Sequence, residues 1–172
     1  MGRGTGASGD NQATVSSQGR NDFDTVTDGD GWIRCDLGHE HWGLYGAAGL
    51  LLKHVDSQGQ ERYLLTHRES WTDHGDTYST PGGARNLSEE PLEAALRESS
   101  EELGEIPEFT HTQTKVIDHG GWTYHTIPGE VEQRFDPTVM AELHSADWFT
   151  PEEIDQLALH PGFKAYWAHM RG

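Results

Sequence analysis

The 172-residue chain has a single cysteine, Cys35. That excludes an intrachain disulfide and leaves no second thiol for the common cysteine-paired zinc sites. Basic residues are scarce as well: 12 Lys and Arg stand against 29 Asp and Glu, a formal net charge of -17. Such a field repels nucleic-acid backbones and anionic membranes, which argues against a polymer-binding role. It also repels a polyphosphate unless bound cations reverse its sign locally. Apolar residues amount to only 33%, and the mean hydropathy is -0.75. No run is long enough to cross a bilayer, and MGRGTGASGDNQATVSSQGR lacks the apolar stretch of a secretory signal. The expectation is a soluble, cytoplasmic protein without internal repeats, long enough for one core.

Residues 1–30, rich in Gly, Ser, Asn, Asp and Thr, read as a flexible tail, and residues 31–172 as a single domain. GAAGLLLKHV (46–55) and ERYLLTHRE (61–69), joined by DSQGQ, read as a strand hairpin. Pro81 with Gly82 and Gly83 then forces a turn. A helix follows: Pro91 suits its first position, Glu90 or Ser88 its cap and Gly104 its stop. THTQTKVIDHG and GWTYHTIPGEVE carry the β-branched and aromatic residues of two further strands, and ADWFT those of a last one. Thr150 and Pro151, with Glu153 three residues after the cap, open another helix, and GFKAYWAHM reads as a short terminal one. This order predicts a mixed α/β or α+β domain.

Against these shortages, one stretch has a surplus. TPGGARNLSEEPLEAALRESSEELGEI (80–106) crowds glutamates onto one short helix. Leu92, Ala95, Leu96, Ser99 and Leu103 share one face, and Glu98, Glu101 and Glu102 share another. Each like-charge pair at such spacing costs roughly 0.2–0.5 kcal/mol in an isolated helix. Arg97 stands four residues from both Glu93 and Glu101, where it can offset part of that cost. Two readings remain: a solvated acidic face, or hard oxygen ligands waiting for Mg²⁺ or Mn²⁺, with a backbone carbonyl of the preceding turn as a further ligand.

The spacing itself is specific. Gly83, five residues, Glu89, seven residues, Arg97-Glu98, two residues, Glu101-Glu102, one residue, Gly104: this resembles the Nudix hydrolase signature. The order of elements from about Trp42 to Met170 is also similar to Nudix domains, which implies a mixed sheet sandwiched between helices. Ser99 and Glu105 depart from the aliphatic residues usual at their positions, and Ile106 can take over the apolar role of the latter. The resemblance implies Glu101 and Glu102 as main metal ligands, with Glu98 as a further ligand or organiser of water and the Gly82 carbonyl joining them. Arg97 would orient the glutamates, while Gly83, Glu89 and Gly104 shape the loop and helix. The implied cofactor is Mg²⁺, with Mn²⁺ as a substitute, and the implied reaction is attack of water on a diphosphate. A box glutamate or a later acid would be the base, Glu142 ahead of Glu130 and Glu132.

Substrate-side candidates are Arg68 at the end of the second strand, Tyr78 before Pro-Gly-Gly, and Trp122 in DHGGWTYHTI beside His119 and Tyr124. For each, a surface or packing role is the alternative. CDLGHEHWG holds Cys35, His39 and His41, but without a second ligand pair it reads as a structured lead-in to the first strand rather than a zinc site. The implied substrate is a small-molecule nucleoside diphosphate linked to X, not a nucleic-acid polymer or a membrane. Nucleoside triphosphates, oxidised ones included, come first because the domain is compact; nucleotide sugars or ADP-ribose come second. The competing class is a non-catalytic nucleotide-binding Nudix module.

Overall fold

Six consecutive residues, Ala47 to Leu52, are buried, which requires a strand covered on both faces. The computed structural model, which describes residues 28–140 and 143–172, places them so. The expected tail lies outside the described residues up to residue 27. Gly29 is already bound to the body: its N–H donates to Asn86 Oδ1, and its carbonyl accepts from Leu44 N–H.

The elements run β1 (Trp32–Arg34), β2 (Glu40–Trp42), β3 (Ala47–Val55), β4 (Glu61–Arg68), β5 (Tyr78–Ser79), β6 (Gly82–Ala84), α1 (Pro91–Leu103), β7 (Thr110–His111), β8 (Lys115–Asp118), β9 (Thr123–Glu130), β10 (Leu143–Phe149), α2 (Pro151–Ile154) and α3 (Pro161–Arg171). The main sheet has the order β10-β4-β3-β9-β7, with β5 on β4, β6 on β3 and β8 on β9. Its β3–β9 pair is parallel and the other pairs are antiparallel. Asp56 closes the β3–β4 turn by accepting from the Gln58 and Gln60 N–H groups through Oδ1.

Alternation along the central strands sends side chains to two cores. Leu50, Leu52 and Leu64 meet Ala94, Ala95 and Leu103 of α1 on one face. Leu51, Tyr63 and Leu65 meet Ile154, Phe163, Tyr166 and Trp167 of α2 and α3 on the other. The sheet is thus sandwiched between helices, a mixed α+β fold as the sequence predicts.

Three local readings differ from the structure. The lead-in before β3 is itself a hairpin, β1 with β2, outside the main sheet. The helix opening at Thr150 ends after one turn although its cap forms, with Thr150 Oγ1 accepting from Glu153 N–H and Glu153 Oε1 from Thr150 N–H. The last strand begins at Leu143, ahead of ADWFT. Among the described residues no helix is long and apolar enough to cross a membrane.

Candidate active site

β6 lies antiparallel to the start of β3, with Gly83 opposite Ala48 and Gly82 opposite Gly49, and α1 packs over both strands. The approach is close enough that a Cβ at Gly83 would run into the Glu98 carboxylate. Only glycine lets the helix settle there. The loop from β6 to α1 is tied by its own groups: Asn86 N–H donates to Glu89 Oε1, and Arg85 Nε and Nη2 donate to the Glu89 carbonyl. Pro91 opens α1 after Glu90, whose N–H donates to Glu93 Oε1 at 3.0 Å. Glu93 therefore serves the helix start and not Arg97.

Arg97 is the hub of the loop and helix. Its Nε and Nη2 grip both Glu89 oxygens at 2.9 Å, a bidentate pairing, and Nη2 also donates to the Ala84 carbonyl at 2.9 Å. Its Nη1 donates to Glu98 Oε2 at 2.9 Å and stands 3.7 Å from Glu101 Oε1. Burial alone would raise the Glu89 carboxyl, but the Arg97 guanidinium and the Asn86 N–H hold it below its ordinary value. The pairing raises the already high Arg97 value further.

The three box carboxylates have different surroundings. Glu101 is exposed. Burial raises Glu98, and Arg97 opposes the rise only in part. Burial pushes Glu102 up to about 8 despite the hydrogen bond that its Oε1 accepts from Gly82 N–H at 3.1 Å; Glu98 adds to the rise and Arg68 opposes it. These are hard oxygen donors on one helix face, held partly out of water beside a glycine turn. A carboxyl raised by burial, as at Glu98 and Glu102, gains its charge more readily when positive charge arrives. The donor set therefore fits a divalent cation with oxygen preference.

The remaining candidates sit as follows. Arg68 ends β4, and its Nε and Nη2 both donate to the Asp73 carbonyl, at 2.8 and 2.6 Å; its charge reaches Glu102. Tyr78 stacks on His67 at 4.3 Å and meets Phe149 edge-on, as part of the packing near the second core. Trp122 is buried with Cys35 and Ala47, one face covered by His41 at 3.9 Å. Glu130 lies 3.9 Å from Lys53, and Glu132 is exposed. Glu142 lies outside the described residues. Ser99 is fully buried on α1 and its Oγ has no hydrogen-bond partner, while Ile106 packs on the first core in the place left by exposed Glu105.

Sequence reasoning missed the supports. Arg85 and Asn86 clamp the Glu89 loop, and Thr80 Oγ1 meets the buried Tyr124 hydroxyl at 3.0 Å beneath the glycine turn. In the sequence an arginine four residues before a glutamate is no different from surface charge, so only their contacts identify them.

Comparison with known proteins adds the following. The family described as NUDIX domain matches residues 47–169. A Mycobacterium tuberculosis protein named "Putative 8-oxo-dGTP diphosphatase 3" is 40% identical over 151 residues, 84% of this chain and 70% of that protein. A Bifidobacterium longum protein named "Nucleoside triphosphate pyrophosphatase/Nudix hydrolase fusion protein" is 42% identical over 102 residues, 58% of this chain and 21% of that protein. Among solved structures, a Nudix hydrolase from M. smegmatis, RenU, superposes with a TM-score of 0.75 at 35% identity, covering 83% of this chain and 93% of that one.

Proposed function

The chain belongs to the Nudix family, and from that premise we propose that it is a Mg²⁺-dependent diphosphatase that splits a nucleoside triphosphate, oxidised ones included, into monophosphate and pyrophosphate. The coarser statement, that it is a pyrophosphohydrolase, follows from the domain match and the relatives. One observation carries the finer reading. Arg97 joins Glu89, Glu98 and Glu101 into one braced unit, beside a partly buried Glu102 whose carboxyl is pushed up to about 8. An ordinary solvated acidic face has neither bracing nor burial.

In this reading Glu101 and Glu102, with Glu98 and the Gly82 carbonyl, hold Mg²⁺, and Mn²⁺ can substitute. The bound cations supply the positive charge that a polyphosphate needs in a chain of net charge -17, and they make water easier to deprotonate. The residues of the chain do the rest. Glu89 and Arg97 keep the loop and Glu98 in register, so the carboxylates do not collapse or splay as the substrate arrives. The base would be a box glutamate, Glu98, whose carboxyl burial raises, or an acid from a later segment, Glu142. Arg68 offers a cation toward the phosphates. The name of the mycobacterial relative favours an oxidised purine triphosphate, and a cytoplasmic setting fits that pool of substrates.

The test is a panel of nucleoside triphosphates, 8-oxo-dGTP, nucleotide sugars and ADP-ribose with Mg²⁺, followed by product analysis. Pyrophosphate released from a triphosphate is expected. Preferred turnover of ADP-ribose or a sugar nucleotide would move the substrate assignment, and calorimetric binding without turnover would replace the enzyme with a nucleotide sensor.

A further inference from the structure

Away from the glutamate helix, a second set of ligand atoms has a different chemistry. Cys35 follows β1, His39 precedes β2, His41 lies within β2, and His119 sits in the turn between β8 and β9. One ligand atom from each lies within 4.8 Å of the other three. Tetrahedral zinc held by three imidazoles and one thiolate needs ligand–ligand edges of about 3.4–3.6 Å. Closing from the observed spacing takes a movement of about 1 Å, within the reach of small χ changes. The lead-in segment lacked a fourth ligand in sequence, and the fold supplies it from the β8–β9 turn, far along the chain.

Backbone hydrogen bonds assemble the set. Cys35 N–H donates to the His39 carbonyl and Gly38 N–H to the Cys35 carbonyl, both at 2.9 Å, which folds the segment into a tight knuckle. Asp36 N–H donates to the Gly120 carbonyl at 2.8 Å and ties the knuckle to the β8–β9 turn. That turn has Gly120 and Gly121 at φ +76° and +81°, the primed hairpin geometry that glycine permits, and it holds His119 opposite Trp122. The Cys35 side chain is 4% exposed. His41 Nε2 is buried and has no hydrogen-bond partner among the described residues, although its ring is clamped on Trp122. A buried polar nitrogen left unpaired costs about 1–3 kcal/mol.

We propose that Cys35, His39, His41 and His119 form a closed tetrahedral zinc site that pins the β1–β2 hairpin to the β8–β9 turn. Four protein ligands leave no open position, so the site is structural and not catalytic. Its sulfur and nitrogen donors separate it from the all-oxygen set on α1. As the Zn–S bond forms, the Cys35 thiol gives its proton to solvent.

The test uses the full chain without an affinity tag, saturated with Mg²⁺ and titrated with Co²⁺ as a spectroscopic stand-in. The expected result is one equivalent bound, with tetrahedral d–d absorption and a thiolate-to-cobalt charge-transfer band, both removed by Zn²⁺. Cys35→Ser loses the charge-transfer band and Glu102→Gln keeps it. A wild-type spectrum without that band, or a band that survives Cys35→Ser, overturns the proposal. Because a variant can fail to fold, the unaltered chain is also melted in Zn²⁺ and in a strong chelator. A higher melting temperature with Zn²⁺ is expected, and identical melts count against the site.

Discussion

The glutamate helix and the N-terminal hairpin are built on opposite plans. The helix carries its donors within one run of sequence, braced by one arginine, and offers hard carboxylate oxygens to a site that opens on solvent. The hairpin offers nitrogen and sulfur, gathered by backbone hydrogen bonds between segments far apart in the chain. The first arrangement suits a cation that must share its coordination sphere with substrate and water, and the second a cation that is enclosed. Burial acts on both regions: it raises the Glu102 carboxyl, so a cation that binds there displaces a proton, and it lowers the His41 imidazole.

The largest expected effect separates the two regions. Glu102→Gln lowers Mg²⁺-dependent turnover on the order of 10³-fold, the scale of losing a group that holds catalytic charge. In chelator at pH 8 the same variant melts at or above the wild-type temperature, because a buried charge is gone while the Gly82 N–H keeps an acceptor. Cys35→Ser has the reverse profile: steady-state turnover in Mg²⁺ stays, and the stabilisation by Zn²⁺ goes. A mutant that swapped these outcomes would break the comparison.

Arg97→Lys comes next. A lysine cannot grip both Glu89 oxygens while reaching Glu98 and the Ala84 carbonyl. Denaturant unfolding is expected to show about 2 kcal/mol less stability. Turnover should fall about 10–100-fold, the usual cost of losing a group that orients metal ligands.

The third effect depends on pH. Glu102 has its ordinary value of 4.5 when unfolded and about 8 when folded. Below 4.5 both states are protonated and its contribution to stability is fully present. As pH rises from 4.5 through 8 the unfolded state releases the proton first, so metal-free stability is lost across that window. Thermal melts in chelator from pH 5 to about 9 should show the wild type losing stability relative to Glu102→Gln. Parallel curves would place Glu102 in water.

How much of this was legible follows from the same contrast. The helix, its caps and the face shared by Glu98, Glu101 and Glu102 were readable because helical spacing converts sequence distance into a shared face, whereas the Arg85 and Asn86 clamps on Glu89 were not. The halving of the helix after Thr150 was not, since the four-residue α2 forms the same cap as a long helix would. Trp122 read as a candidate base-stacking residue because alternation along a strand gives no sign of what covers each ring, and here His41 covers it. The role of His119 was hidden for a topological reason: only the β8–β9 turn brings it to Cys35. Ser99 was legible as buried and out of pattern, and the structure leaves its hydroxyl without a partner. Its replacement gives the smallest expected effect: Ser99→Ala raises the denaturant midpoint by the equivalent of about 1 kcal/mol, with slope and turnover unchanged.

The most direct test of the central claim, that the glutamates of α1 form a cation site, is a calorimetric titration of Mg²⁺ at pH 7 in two buffers of different ionisation heat. Wild type should bind Mg²⁺ and release about one proton that Glu102→Gln does not release. No Mg²⁺ binding, or equal proton release from both proteins, would contradict it.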